Sequence, residues 1–477
     1  MKSKKKTVYV PLAVDFINEA HIKIIDVARK YGQVIVGLLT DKAIAKYKSL
    51  PLINYEAREF IVKNLKYVSK VIPDNSYDYI DNLNRLKPDF FVHGDDWKKQ
   101  SYRKHIRPKV IKTLKKWNGK LIEPKSTEKV SLLSSSEKIR NIFDSTENRV
   151  SKLNRLIKSK NIVRVLESHN SLTGLIIENL KIEKNRKIEE FDCMWSSSLT
   201  DSATKGKPDN QAVDYSSRIS SLNDMLDVTS KPLIFDADNG GQFEHLSFLV
   251  RSLERNGVSA IIMEDKIGLK KNSLFKNQSG TKQDKPQIFA KKIKKICSSR
   301  QSNDFLVIAR IESFIVGKGL KDALNRAAIY SKAGADAILI HSKEKTPREI
   351  FSFAKEFKKS KYFIPLVSVP STYSKVYEKD LIRNGFKLVI YANQLLRAAY
   401  PAMQNAARTI LEKSRAFEID KKIIQDVICW PIGRVDEESS NIELFDEDEA
   451  KELKTVKIER NEEEKTTQPK YTCYTRE

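Results

Sequence analysis

Pro232-Leu233-Ile234-Phe235-Asp236-Ala237-Asp238 is the stretch that decides the fold, because an apolar run passes directly into two carboxylates. A second stretch, Ala260-Ile261-Ile262-Met263-Glu264-Asp265, repeats the pattern. Short apolar runs of this kind are typical of parallel strands buried on both faces. Acids at the point where such strands pass into loops are typical of the chemistry of α/β barrels. The two stretches therefore predict a shared site for a hard cation, magnesium or manganese.

Residues 161–415 contain the number and spacing of strands and helices expected of a (β/α)8 TIM-type barrel. Eight candidate strands are separated mostly by helical patterns. These strands are residues 174–178, 193–196, 233–236, 260–264, 306–311, 337–341, 364–369 and 388–391. Gly257 and Gly334 stand where predicted helices stop, a position that favours glycine.

The remaining chain divides into three further parts. Residues 7–140 alternate strands and helices, which predicts a Rossmann-like doubly wound sheet. Residues 141–160 have helical apolar spacing and predict a helical linker. Residues 416–477 carry acids in short blocks without periodicity, and we expect a partly disordered extension.

Composition limits the class of protein. The 477 residues exceed one typical core, so at least two domains are expected. Four scattered cysteines without a CxxC pair argue against a zinc ribbon or a disulfide framework and predict a cytoplasmic protein. No apolar run is long enough to span a membrane.

The net charge of +25 has two interpretations. One is a polyanion partner such as nucleic acid. The other is that lysines cover most exposed helical faces, and the absence of aromatic interleaving or a nucleic-acid motif favours it. We therefore predict no specific nucleic-acid partner, and note that a positive field also suits phosphorylated small molecules.

Further strand ends and one loop carry groups suited to anions. Arg310 ends an apolar run and offers a guanidinium fork for bidentate anion recognition. His341 ends another run and is a candidate donor to an oxyanion or phosphoryl group. The stretch Lys270-Lys271-Asn272-Ser273-Leu274 begins a polar, cationic loop that is expected to cover the site and exclude water.

These motifs resemble phosphoenolpyruvate phosphomutases of the isocitrate lyase superfamily, over residues 153–415. The matching stretches are residues 193–199, 202–209, 235–241, 264–274, 309–313, 340–343 and 388–397. The Asn272-Ser273-Leu274 form of the loop separates the mutases from the isocitrate lyases, which carry Lys-Lys-Cys-Gly-His there. The resemblance implies a magnesium-dependent isomerisation of phosphoenolpyruvate to phosphonopyruvate, the first step of phosphonate biosynthesis.

The resemblance also implies a role for each matched residue. Asp236 is the direct metal ligand, and Asp238 and Glu264 act through water. Asp209 stands beside the transferring phosphoryl group, which Arg310 and His341 hold. The substrate-binding residues are Trp195, Ser197, Ser198, Leu199, Ser273 and Leu274, with Lys270 and Asn272 as catalytic residues of the covering loop. Ser197 and Leu199 offer backbone N–H groups to the substrate carboxylate.

Two departures from the mutase pattern leave the alternatives open. Asn239-Gly240-Gly241 replaces a common Thr-Gly-Tyr or Thr-Gly-Gly, and Gln211 stands where an acid is usual. Phosphonopyruvate hydrolase is the nearest enzymatic alternative. The non-enzyme alternative is a basic polyanion-binding protein with an inactive barrel. Relatives assemble as oligomers, so a homodimer or homotetramer is expected by resemblance.

The N-terminal part resembles the glycerol-3-phosphate cytidylyltransferase type of nucleotidyltransferase over residues 7–136. The resemblance is carried by residues 37–41, 55–73 and 93–97. That family uses a His-x-Gly-His motif, but this chain has Asn18-Glu19-Ala20-His21. His21 and Arg58 are therefore predicted to be remnants of a nucleotide site. The domain is either an active CTP-using enzyme, which would make the protein bifunctional, or a structural or nucleotide-sensing domain.

Overall fold

The computed structural model describes residues 5–47, 50–98, 105–124, 146–185, 187–268, 270–273 and 282–420. By compactness, residues 1–395 form one unit and residues 396–477 a second. The described strands of both predicted α/β parts lie in the first unit. Residues 141–145 of the predicted linker, Leu274, and the extension from residue 421 onward lie outside the described residues.

The N-terminal part is a five-stranded parallel sheet with strand order 3-2-1-4-5. Its strands are β1 (Thr7–Leu12), β2 (Gln33–Leu39), β3 (Val68–Asp74), β4 (Phe90–Val92) and β5 (Lys120–Ile122). Its helices are α1 (Glu19–Arg29), α2 (Asp41–Ile44), α3 (Tyr55–Lys63), α4 (Ile80–Leu86) and α5 (Ile106–Leu114). Side chains of β1 alternate between two cores, with Tyr9 in one and Val8 and Val10 in the other. The predicted doubly wound sheet is confirmed.

A helix follows in the predicted linker. Helix α6 (Thr146–Ser159) buries Leu153 and Leu156 and leads directly into the barrel. The sequence predicts this helix because its buried apolar residues recur at the spacing of one helical face.

Eight parallel strands then close into a barrel, as the sequence predicts. In chain order they are β6 (Val163–Glu167), β9 (Cys193–Ser196), β10 (Leu233–Asp236), β11 (Ala260–Glu264), β14 (Leu306–Ile311), β15 (Ala337–Ile340), β16 (Leu366–Ser368) and β17 (Phe386–Tyr391). The ring closes where β6 pairs with both β17 and β9. Two short antiparallel hairpins leave the barrel: β7 (Lys181–Lys184) with β8 (Lys187–Glu190), and β12 (Lys266–Ile267) with β13 (Lys282–Gln283).

The prediction for the first barrel strand is wrong. Residues 174–178 lie inside a helix, α7 (Ser171–Asn179), and the strand is β6 instead. Asn170 begins the helix by accepting a hydrogen bond from the backbone of Thr173, a capping arrangement that favours a helix. Both segments are short apolar runs, so periodicity alone does not separate them.

Helices cover the outside of the barrel. They are α8 (Ser198–Thr204), α9 (Tyr215–Asp227), α10 (Leu246–Arg255), α11 (Pro286–Ser299), α12 (Gly319–Lys332), α13 (Arg348–Phe357) and α14 (Glu378–Arg383). Gly257 and Gly334 follow α10 and α12 with φ of +78° and +106°, in the left-handed region that glycine tolerates. One apolar cluster fills the barrel interior and a second lies between the strands and the helices.

The described part of the second unit is helical. Helix α15 (Gln394–Lys413) begins at its boundary, and α16 (Phe417–Asp420) follows. Across the described residues of both units, no helix is long and apolar enough to cross a membrane.

Candidate active site

The carboxyl ends of the barrel strands bring together most of the polar side chains singled out from the sequence. Side chains alternate between the faces of a strand, and Ile234 and Ile262 line the barrel interior. Two positions further along, the same faces carry Asp236 and Glu264, which are almost fully buried. Further interior positions at this end carry Glu167 on β6, Trp195 on β9, Arg310 on β14 and His341 after β15.

The ammonium group of Lys270 lies at the centre of an aspartate cluster. Its Nζ is 3.1 Å from Asp209 Oδ1 and 3.9 Å from Asp236 Oδ2, and it contacts Asp238 Oδ1 directly. Burial would lower the pKa of Lys270, but the surrounding carboxylates raise it above its usual value. Three of the predicted carboxylates therefore meet around one cation.

Asp236 is held in its charged form. Ser198 donates to its Oδ2 through the hydroxyl, at 2.9 Å, and through the backbone N–H, at 3.3 Å. Burial would raise the pKa of Asp236, but the charges of Lys270, Arg310 and Arg218 lower it to about 2. Burial raises the pKa of Asp209, and the neighbouring aspartates add to that rise.

Glu264 faces a different pair of cations. Its carboxylate oxygens lie 3.5 Å from Lys266 Nζ and 3.5 Å from an Arg310 terminal nitrogen. Burial raises the pKa of Glu264 to about 7, although both cations oppose the rise. Its backbone N–H donates to the carbonyl of Asp238 at 2.7 Å, so the two predicted acidic strand ends are neighbours.

The donor set fits a hard cation in its chemistry. All three predicted ligands are carboxylates, the type that magnesium and manganese prefer, and Asp236 and Asp238 already surround an ammonium ion. Among the residues that the structure describes, no three His, Cys, Asp or Glu side chains stand close enough to hold an ion as they are. Glu264 would therefore share an ion with the aspartates through water, which magnesium commonly retains.

Arg310 and His341 extend the site onto the next two strands of the barrel, β14 and β15. The Arg310 guanidinium donates to Ser273 Oγ at 2.9 Å and to Glu312 Oε1 at 2.6 Å. Burial and the nearby Arg310 charge lower the pKa of His341 to about 3, so the imidazole is neutral near pH 7. His341 Nδ1 is buried and has no hydrogen-bond partner among the described residues. A neutral imidazole and a guanidinium are suited to hold an anionic group.

Ser197 and Leu199 form a corner at the start of α8, and their contact with a substrate carboxylate stays a prediction. Ser197 is the residue before the helix, and the first helical residues carry backbone N–H groups that the helix itself leaves unused. Trp195 lies directly before this corner and is 5% exposed, and its indole Nε1 has no partner in the described structure. Asn272 lies next to Ser273 in residues 270–273, the described part of the predicted covering loop. Leu274 lies outside the described residues.

Four further charged residues of this site, Arg218, Lys266, Glu312 and Glu167, are not among those predicted from the sequence. Arg218 is 1% exposed and donates to the carbonyl of Asp236 at 2.6 Å and to Asp201 at 3.0 Å. Lys266 and Glu312 both bond Ser273, and Glu312 also accepts a hydrogen bond from Arg310. Glu167 is fully buried, and His169 Nδ1 lies 2.9 Å from its Oε1. Glu167 ends β6 after an apolar run and so carries the same signal as the other acidic strand ends, whereas Arg218 lies inside a helix and carries no sequence signal.

In the N-terminal sheet, the two predicted nucleotide-site remnants serve the domain itself. His21 Nδ1 accepts the backbone N–H of Asn18, and Asn18 Oδ1 accepts that of His21, both at 3.2 Å, which caps α1. Arg58 is buried, and its guanidinium donates to Asp41 at 2.7 Å and to the carbonyl of Val14 at 3.2 Å. Contact of either residue with a nucleotide stays a prediction.

A closed parallel barrel with acidic, cationic and guanidinium groups at its carboxyl end defines the class as an α/β-barrel enzyme. The model of the family described as phosphoenolpyruvate phosphomutase matches residues 153–411, more than half of the chain. The chain belongs to that family. The cytidylyltransferase-like family model matches residues 14–142.

The chain is similar to two named relatives and one solved structure. A phosphoenolpyruvate phosphomutase of Tetrahymena pyriformis is 36% identical over 287 residues, 60% of this chain and 91% of the relative. A phosphonopyruvate hydrolase of Variovorax sp. is 34% identical over 269 residues, 56% of this chain and 91% of the relative. A crystal structure of phosphonopyruvate hydrolase with oxalate and magnesium matches with 31% identity and a TM-score of 0.51, covering 58% of this chain and 92% of that one.

Proposed function

We propose that this protein is a magnesium-dependent phosphoenolpyruvate mutase that interconverts phosphoenolpyruvate and phosphonopyruvate. The observation that carries the proposal is the cluster in which Asp209, Asp236 and Asp238 surround Lys270. It places carboxylates and a cation at one barrel mouth, where a phosphoryl group can be oriented. The family match over residues 153–411 supports the same reaction.

Each wall of the site has a task in this reaction. Asp236, Asp238 and Glu264 would hold magnesium, which neutralises negative charge on phosphoryl and enolate oxygens when bound. Backbone N–H groups at the start of α8 bind the substrate carboxylate. Arg310 supplies its fork to the migrating group.

Protons and water are controlled by the remaining residues. His341 is neutral, so it offers a ring N–H as a donor without adding charge. Lys270 balances Asp209, which lies beside the phosphoryl group and either accepts it transiently or positions it. The burial of Lys270 and Ser273 keeps bulk water from a group that reacts readily with it.

Phosphonopyruvate hydrolysis is the second candidate. The observation that favours it is the 34% identity to the Variovorax hydrolase, close to the 36% identity to the Tetrahymena mutase. Both reactions start by cleavage of the carbon–phosphorus bond and differ in the oxygen that captures the phosphoryl group.

Phosphorus NMR with phosphonopyruvate and magnesium tests both candidates. A mutase yields phosphoenolpyruvate, a hydrolase yields inorganic phosphate, and an inactive barrel leaves the signal unchanged. Removal of the metal with a chelator should stop turnover, and restored magnesium should recover it.

Asp209→Ala and Asp236→Ala are each expected to reduce turnover below about 1% of the parent, because each removes a charge that acts on the reacting group. Asp224→Ala is the matched control, since Asp224 lies exposed on α9. Circular dichroism verifies folding of all three variants. Retained activity in either site variant contradicts the site assignment.

A further inference from the structure

Glu312 is a buried carboxylate that connects two parts of the site. It follows β14 and is fully inaccessible to solvent. Its Oε1 accepts from Arg310 Nε at 2.6 Å, and its Oε2 accepts from Ser273 Oγ at 2.6 Å. One side chain therefore bonds both the Arg310 guanidinium and the Ser273 hydroxyl.

Lys266 makes the second connection. It is 5% exposed, and its Nζ donates to Ser273 Oγ at 2.8 Å and to the carbonyl of Lys271 at 3.0 Å. The same ammonium lies 3.4 Å from Glu312 Oε2. Lys266 thus ties both the backbone and a side chain of residues 271–273 to the barrel rim.

The Ser273 hydroxyl is fully used inside this group. A serine hydroxyl has one donor and two acceptor positions. It donates to Glu312 and accepts from Lys266 and from Arg310, the latter at 2.9 Å. In this arrangement every hydrogen-bonding position of the Ser273 hydroxyl is used within the group, and contact of Ser273 with a substrate stays a prediction.

The charge of Glu312 is maintained by its partners. Burial would raise the pKa of Glu312, but the charges of Arg310 and Lys266 lower it well below its usual range. A buried carboxylate between two cations is costly to neutralise on one side only, because the remaining charges lose their compensation. Replacement by glutamine keeps the volume and removes the charge.

We propose that Glu312, Lys266 and Ser273 form a latch that fixes the Arg310 fork and holds residues 270–273 over the site, and thereby decides which oxygen captures the phosphoryl group. Glu312 and Lys266 are positioning residues, since they act through Arg310 and Ser273. This role deepens the proposed mutase function and rests on it.

The two outcomes differ by one bond. From phosphonopyruvate, the carbon–phosphorus bond breaks and its electron pair remains on pyruvate as an enolate. In the mutase outcome, the enolate oxygen bonds to phosphorus and phosphoenolpyruvate forms. In the hydrolytic outcome, a water oxygen bonds to phosphorus, one water proton goes to the enolate carbon, and pyruvate and phosphate leave.

The test measures the share of inorganic phosphate among the products by phosphorus NMR. Glu312→Gln and Lys266→Met are each expected to raise that share at least about tenfold, because water reaches a loosened site. Glu312→Asp keeps the charge with a shorter reach and should give a smaller increase. The control is Glu254→Gln, a buried carboxylate that accepts backbone N–H groups of Gln301 and Ser302 next to the amino end of β14. It should leave the share unchanged.

A lower turnover number with an unchanged phosphate share would overturn the latch, since a merely structural defect slows both outcomes alike. Hydrogen exchange over residues 265–273 separates this test from the proposed function. Glu312→Gln should speed exchange there at least about tenfold relative to the parent and Glu254→Gln, whether the parent is a mutase or a hydrolase. Unchanged exchange overturns the latch even if the parent proves to be a mutase. A parent that yields only phosphate overturns the proposed function and the control of the capturing oxygen, while faster exchange in Glu312→Gln would still show that Glu312 holds residues 270–273.

Discussion

Tyr9 and Asp74 form a buried pair in the N-terminal sheet. The phenol donates to Asp74 Oδ2 at 2.5 Å, and both residues are almost inaccessible to solvent. Burial raises the pKa of Asp74 to about 6, although the hydrogen bond from Tyr9 opposes the rise. The folded protein therefore binds a proton here between about pH 4 and pH 6, where the unfolded chain does not.

Asp74→Asn tests this assignment through stability. Because the folded state holds more protons, Asp74 makes the parent less stable as pH rises from about 4 to about 6, by about 3 kcal/mol in total. The variant lacks this loss, so its stability relative to the parent should improve by that amount between pH 4 and pH 7. Urea unfolding at each pH measures the difference.

Asp26→Asn provides the comparison of opposite sign. The hydrogen bond from Arg29 lowers the pKa of the exposed Asp26, so its charge favours the folded state as pH rises. A relative stability of Asp74→Asn that does not change with pH would show that Asp74 is ionised in the folded protein throughout this range.

At the level of elements, Asp265 joins a helix to two loops. Arg326 and Tyr330, one turn apart on α12, donate to its Oδ2 at 3.1 and 2.7 Å. Gln283 donates to the same carboxylate, and so does the backbone N–H of Glu312, at 3.1 Å. Helix α12 is thus bonded directly to the chain that carries the latch.

Tyr330→Phe removes one hydroxyl from this junction. Asp265 loses a donor and Arg326 loses an acceptor at 3.0 Å, so the free energy of unfolding should fall by about 1 to 3 kcal/mol. Tyr377→Phe is the control, because Tyr377 is 68% exposed and should change stability by less than about 0.5 kcal/mol. Chemical denaturation measures both, and equal effects would exclude the junction as a stabilising contact.

The sequence predicts most of the helices and strands correctly, and the exception is the segment of residues 174–178. β10 and β11 were located because a strand buried on both faces must be a continuous apolar run with a polar end. Residues 174–178 have such a run but are helical, since Asn170 caps α7 and residues of α9 pack against that helix. The local apolar pattern shows that a segment is buried. Whether residues 174–178 form a helix or a strand depends on the elements that pack against them.

At the level of the whole first unit, α6 closes the amino end of the barrel. Arg149 donates to the carbonyls of Leu226 and Thr229, which precede β10, and Asn154 donates to Asp304, which precedes β14. On the same helix, Arg155 reaches the N-terminal part, where it donates to Asp41 of α2 at 3.0 Å and to the carbonyl of Leu52 at 2.8 Å. The N-terminal part therefore contacts the end of the barrel opposite to the site.

Arg155→Ala should separate stability from catalysis. Loss of this partly buried guanidinium is expected to lower the stability of the unit by about 3 kcal/mol, because among the described residues Asp41 then keeps Arg58 alone as an ion-pair partner. Phosphonopyruvate turnover at low temperature should stay within about twofold of the parent. Calorimetry and phosphorus NMR measure the two quantities, and Arg155→Lys, which keeps the charge, should be intermediate. A loss of turnover at a temperature where the variant is folded would show that the two ends of the barrel are coupled.

The sequence by itself determined the barrel, the doubly wound sheet and the acidic strand ends. A strand buried on two faces must be a continuous apolar run, and its exit into a loop is a change to polar residues, so both features can be recognised locally. Only the tertiary structure decided that Lys270 lies among Asp209, Asp236 and Asp238 while Glu264 faces Lys266 and Arg310. It also decided that Glu312 and Ser273 belong to one bonded group. The physical reason is closure of the ring: it sets distances between side chains on different strands, and no local pattern records those distances.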